Sequence, residues 1–167
     1  LLLATVLLCA LGGFGWSVLH GPRVAQAQEA TIYSLSALTA RPGDDPRATY
    51  ARIRIPSLGV DAPVSSHFVE SDASAMPNPY GPADAGWYDF EETYFGGAPG
   101  AGRNAVLSGH VNYNANVGYA GVRYAGPGVF ALIHRLKPGD IIEVERNGKT
   151  YRYAVSWQRT VDDQAST

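Results

Sequence analysis

Only one cysteine stands among the 167 residues, Cys9, and it lies inside an apolar leader. A single thiol argues against a disulfide framework and against a cysteine-built zinc site. In that setting Cys9 reads as a small apolar side chain, not a nucleophile. An excess of charge of either sign is also missing. Thirteen Lys and Arg face fifteen Asp and Glu, for a net charge of -2. Without a basic cluster the chain is not expected to bind nucleic acid. The four histidines, His20, His67, His110 and His134, form no His-x-x-x-His pair or other local metal signature, so zinc is not expected. No residues fix a site for another metal, and no cofactor is expected. The glycine-rich run from Gly96 to Gly102 has no Gly-Lys-Ser/Thr ending and is a loop, not a phosphate cradle. There is no internal repeat. The chain is instead 46% hydrophobic and 17% charged, the balance of a folded domain.

The leader, residues 1–19, is uncharged and almost wholly apolar. A spanning helix needs about 20 such residues and a signal-peptide core about 7–15, so the length favours a membrane anchor. The small-x-small run Ala25-Gln26-Ala27 is the counter-signal, that of a cleaved signal peptide. On either reading the remainder is exported. The chain begins at Leu1 and ends at Thr167; both ends read as cut, and the chain as part of a longer one. Residues 20–48 are expected to be a linker or stalk, since Ala, Ser, Thr and Gln lead into Arg41-Pro42-Gly43-Asp44-Asp45-Pro46. A short helix fits within Ala30 to Leu38. Residues 49–167 are then the folded domain.

Within that domain the signals are those of strands. Arg52-Ile53-Arg54-Ile55 alternates polar and apolar side chains, the pattern of a half-buried strand. Leu58 to Val64 reads as a tight turn and a short strand, and Asn104 to His110 as another strand. Met76 to Gly102 and Gly118 to Gly128 read as loops, and Val129 to Leu136 as a short helix. Asn147-Gly148 is a strong hairpin signal between Ile141–Arg146 and a strand over residues 150–161. The fold class expected is mainly β, as in a small barrel.

Four blocks in order resemble the sortase family. They are Arg52 to Val64, then Gly102-Arg103-Asn104-Ala105-Val106-Leu107-Ser108-Gly109-His110, then Phe130, Leu132 and Leu136 before Gly139-Asp140, then Ile142, Val144, Tyr151, Tyr153 and Val155. The Gly-His-Val followed by Gly-Pro-x-Val-Phe at Gly126 to Phe130 is similar to sortases of classes D to F. The resemblance implies an eight-stranded β-barrel whose last strands would follow Thr167. It also implies a Cys/His/Arg site that cuts a sorting motif such as LPxTG through a thioester and passes the acyl group to an amine. Wall anchoring and pilus assembly are the roles it suggests. It carries over the catalytic histidine alone, to His110. The family's Thr-x-Thr-Cys strand is expected after Val161 and its arginine strand later, so Arg146, Arg152 and Arg159 do not take the arginine role. The implied partners are a sorting-signal peptide, an amine acceptor of the wall or a pilin, and the bacterial plasma membrane, with the catalytic domain extracellular.

Other residues carry two readings each. Asn112 and Tyr113, with Asn114 and Asn116, line a substrate cleft or form a solvated Asn-rich turn. Trp87 and Tyr88 form an aromatic wall for peptide or plug a core under a long loop. Asp84, Asp89, Glu91 and Glu92 could form a glycosidase-like carboxylate pair, but clustered loop acids are more often simply solvated. A non-enzymatic exported β-barrel binding module is the competing reading of the whole chain.

Overall fold

A computed structural model of the chain describes residues 31–39, 45–47, 50–70, 75–90 and 96–161. The apolar leader and its cysteine, Glu91 and Glu92 lie outside these residues. Among the described residues no helix is long and apolar enough to cross a membrane. Nine strands dominate the described residues: β1 (Thr31–Ile32), β2 (Ala51–Ile55), β3 (Val60–Phe68), β4 (Ala85–Asp89), β5 (Leu107–Gly109), β6 (Asn112–Val117), β7 (Val122–Pro127), β8 (Ile141–Arg146) and β9 (Lys149–Ala154). They form a six-stranded sheet in the order β5-β4-β3-β2-β8-β9 and a three-stranded sheet in the order β1-β7-β6.

The local sequence explains several elements directly. In β2, Ala51, Ile53 and Ile55 are buried while Arg52 and Arg54 face outward. There Arg52 pairs with Asp61 and Arg54 with Glu145 across the neighbouring strands. Pro56 ends β2, because it has no amide to continue the ladder. The turn at Pro56–Leu58 closes on Gly59 at φ 67, and β3 returns antiparallel to β2. At the β8–β9 hairpin Asn147 and Gly148 adopt φ 51 and 71, the two left-handed positions a two-residue turn requires. The main core joins Ile53, Ile55, Val64, Trp87, Phe130, Leu136 and Val144, and a second cluster holds Val117, Tyr119, Tyr124 and Leu38.

Elsewhere the structure departs from the sequence reading. The loop expected around Trp87 contains β4, which pairs parallel with β3 and antiparallel with β5. Nearly all of β4 is buried, so its apolar run lacks the alternation that marks a half-exposed strand. The Asn-rich stretch is strand β6, and the second half of the Gly118 to Gly128 loop is β7. Only a single 3-10 turn, Ile133–Arg135, forms where a short helix was expected. The strand expected to run to Val161 ends at Ala154. Part of the segment expected as a stalk is docked. Thr31–Ile32 pairs with β7, a 3-10 turn follows at Leu35–Ala37, and Leu38 is buried.

A closed eight-stranded barrel is not what the described residues form. The outer edges of β5 and β9 carry no strand neighbour among them, and a barrel closes only when its edge strands are joined. Between those edges lies an apolar cleft of about 790 Å³, walled by Ala105, Val106 and Leu107 on one side and Ile142, Val144 and Tyr153 on the other.

Candidate active site

The site grows from the end of β5. Leu107 packs against the main core. Ser108, facing the other way, shares a 2.7 Å hydrogen bond with the Tyr88 hydroxyl, which itself donates to the Pro77 carbonyl at 2.6 Å. Gly109 follows, and a Cβ there would stand 2.5 Å from the Phe130 ring and 2.8 Å from Val129. Ordinary carbon contacts are about 3.5–4 Å, so only glycine lets the segment Gly126 to Phe130 lie against β5. His110 comes next.

The backbone around His110 is clamped. Its carbonyl accepts the Phe130 amide at 2.9 Å, and the carbonyl of Val111 accepts the Gly128 amide at 2.7 Å. Gly128 carries no side chain because a Cβ there would sit inside the His110 carbonyl and 2.7 Å from the His110 Cβ. The Gly-His and Gly-Pro-Gly-Val-Phe stretches, separate in sequence, thus form one interlocked unit. It fixes where the imidazole emerges.

The imidazole is half-buried. Burial pushes its pKa below the ordinary histidine range, and a hydrogen bond to the Pro79 backbone opposes that shift. Proline has no amide hydrogen, so Pro79 offers its carbonyl and a ring N–H donates. Tyr113 meets the ring edge-on, with centroids 4.9 Å apart. The imidazole is therefore largely neutral above its lowered pKa. It can accept a proton through one nitrogen while the other is held by the Pro79 carbonyl, the arrangement general acid–base catalysis uses.

Of the residues singled out in the sequence, Tyr113 is brought to His110. Asn112 opens β6 and is exposed, paired with Pro127. Trp87 belongs to the core instead. It is 4% exposed, stacks on Tyr50 with centroids 4.3 Å apart, and donates its indole N–H to the Gly97 carbonyl at 3.1 Å. Of the two readings the sequence offers for it, wall or core plug, the burial fits the plug: β4 turns the indole inward, where its large apolar area is covered. Arg152 pairs with Glu143 on the β8–β9 face, and Arg146 lies over the Tyr50 ring. His67 is buried, with Ser65 at 2.8 Å, and desolvation lowers its pKa.

Asp84 overturns the expectation of a solvated loop acid. It is fully buried, and its pKa is pushed up to about 6 by desolvation, against the hydrogen bond from Tyr80 and the charge of Arg47. The sequence carried no signal for this. Its Gly, Pro and Ala neighbours suit a surface loop equally well.

Among the described residues no three His, Cys, Asp or Glu side chains converge as metal ligands do. The model of one family, described as the sortase domain, matches residues 53–167. Among curated proteins, none matches the chain.

Proposed function

The chain belongs to the sortase family, whose members are cysteine transpeptidases, and we propose that it acts on a sorting-signal peptide with His110 as its acid–base residue. One observation carries this reading. His110 leaves the last residue of β5 on a backbone held by Gly109, Gly128 and Phe130, with a ring nitrogen engaged by Pro79. Such a histidine is fixed by its scaffold yet half-exposed, as a group meeting substrate must be.

In the proposed reaction a cysteine thiolate attacks the carbonyl carbon of the scissile Thr–Gly bond of an LPxTG-like motif. The C–N bond breaks, and His110 as imidazolium gives its proton to the departing amine. A thioester is left. An incoming amine attacks the same carbonyl, loses a proton to His110 and expels the thiolate, so the enzyme is restored. The thiol is not Cys9, which sits in the apolar leader. We place it on a strand following Thr167, lying along the open edge of β5, where the apolar cleft toward Ile142 and Val144 would receive it. An arginine from a later strand would hold the developing oxyanion or the substrate backbone. Filling that cleft would join β5 to the β8–β9 side and close the barrel. The leader supports the further proposals of an anchor in the plasma membrane and an extracellular domain, and the family supports that of an amine acceptor on the wall or a pilin.

The test is to read the coding sequence past Thr167, express the complete product and trap acyl-enzyme from an LPxTG-like peptide with hydroxylamine. Hydroxamate from the parent, and none from His110→Ala or from the Cys→Ala variant of the newly found strand, is the expected result. A continuation with no cysteine, or undiminished turnover by His110→Ala, would reject the reading; the former would favour a surface-binding module.

A further inference from the structure

Asp84 is the only buried carboxylate among the described residues. Its Oδ2 accepts the Tyr80 amide at 2.9 Å, and the Gly81 amide adds a second hydrogen bond. Its Oδ1 has no hydrogen-bond partner among the described residues. A turn cap alone does not call for this. An uncharged asparagine or serine would accept the same amide without placing a charge where water cannot reach it.

The Tyr80 amide and the Pro79 carbonyl belong to one peptide unit. The described chain has no cis peptide, so in this planar, resonant group the N–H and C=O point in opposite directions. Asp84 lies on the amide side and His110 on the carbonyl side. The segment is also pinned at Pro77, whose carbonyl takes the Tyr88 hydroxyl, and at Tyr80, whose ring packs on His67 at 4.9 Å.

Resting on the reading of His110 as the acid–base residue, we propose that Asp84 is its positioning residue, acting through the Pro79–Tyr80 peptide. A carboxylate accepting from the Tyr80 N–H draws electron density toward the Pro79 oxygen and strengthens it as an acceptor. It also locks the peptide plane, so one ring nitrogen of His110 stays protonated against Pro79 and the other faces the reaction. The result is an acid–histidine pair bridged by one backbone amide. The other ionisable groups near Asp84 are Arg47 and Asp45, from the segment before β2, Tyr119 and Tyr113. Tyr119, with its pKa raised to about 12, stays neutral, which leaves Arg47 to offset part of the buried charge.

The test compares Asp84→Asn and Asp84→Ala in the complete protein, with the ring nitrogens of His110 followed by 15N NMR across pH and assigned by loss of the signal in His110→Ala. Asn keeps an acceptor for the Tyr80 amide but removes the charge. The His110 titration midpoint is expected to fall in Asp84→Asn, by less than a full carboxylate charge would give, because Asp84 itself takes up a proton near pH 6 and the two titrations are coupled. In Asp84→Ala the single ring tautomer should also be replaced by a mixture. Turnover should fall about tenfold in Asp84→Asn with KM little changed, and the acid limb of its pH profile should move with the His110 midpoint. A folded Asp84→Asn whose His110 keeps the parent midpoint and tautomer would overturn the proposal, even if Asp84→Ala failed to fold. Because the NMR readout needs no catalysis, that failure is separable from failure of the functional reading, which His110→Ala turnover reports.

Discussion

Replacing Gly128 by alanine asks whether the interlock around His110 is what makes the site. Gly128 does not adopt a positive φ, so alanine meets no conformational penalty there and the effect is one of space. The new methyl would stand 2.7 Å from the His110 Cβ and closer still to its carbonyl. Ordinary contact needs about 3.5–4 Å, so the two segments must separate by about 1 Å. That movement strains the Gly128–Val111 and Phe130–His110 hydrogen bonds, each contributing about 1 kcal/mol, and overpacking adds about 1–3 kcal/mol. A loss of about 3 kcal/mol follows, lowering Tm by about 10 °C in a domain of this size. The same displacement at a reacting group costs about a hundredfold in rate. Thermal unfolding followed by circular dichroism gives the first number, and turnover measured well below both transitions gives the second. Gly59→Ala is the control. Nothing lies within 4 Å of a Cβ there, but φ is 67, so it should cost about 1–2 kcal/mol of stability and leave turnover intact. A Gly128→Ala protein with parental Tm and parental turnover would refute the argument.

The buried Asp84 carries a pH signature. Its native carboxyl takes up a proton near pH 6 and its unfolded one near 3.8. The native state therefore binds more protons between those values, and this group's contribution to stability falls as pH rises from about 4 to about 6. At neutral pH the buried charge costs on the order of 3 kcal/mol, so Asp84→Asn should be as stable as the parent or more so at pH 7.5 while turning over more slowly. Urea midpoints taken from pH 4 to 8 check this, and a parent-minus-variant difference that does not change across that range would contradict it. His67 works in the opposite sense. Burial lowers its pKa, so its contribution is present above the unfolded value near 6.5 and is lost as pH falls below it; His67→Gln should weaken the acid-side decline in the same titration. Trp87→Ala should cost about 3–5 kcal/mol by emptying the core under Tyr50, measured by urea unfolding, whereas Trp87→Phe in a folded protein should leave KM for the sorting peptide within about twofold; a large rise in KM would return Trp87 to the substrate site.

Local rules carried much of this fold. The alternation of Arg52 to Ile55, the stop at Pro56 and the Asn147-Gly148 hairpin are properties of residues adjacent in the chain, and each appears where its pattern predicts. The ordered blocks that resemble one family singled out the Gly109-His110 pair. Other features depend on partners distant in sequence. Asn112 to Asn116 has the composition of a solvated turn, and it is a strand because β7 supplies its hydrogen bonds. β4 hides among Gly and Pro residues because burial on both faces removes the alternation that would announce it. Asp84 looks like any loop acid until Arg47, the Tyr80 and Gly81 amides and Tyr119 surround it. Gly128 looks like a turn glycine until it meets the carbonyl of His110. Spacing along a chain encodes backbone conformation and the face each side chain takes, but desolvation and close approach arise between segments many residues apart, and only their packing sets the environment in which His110 holds its proton.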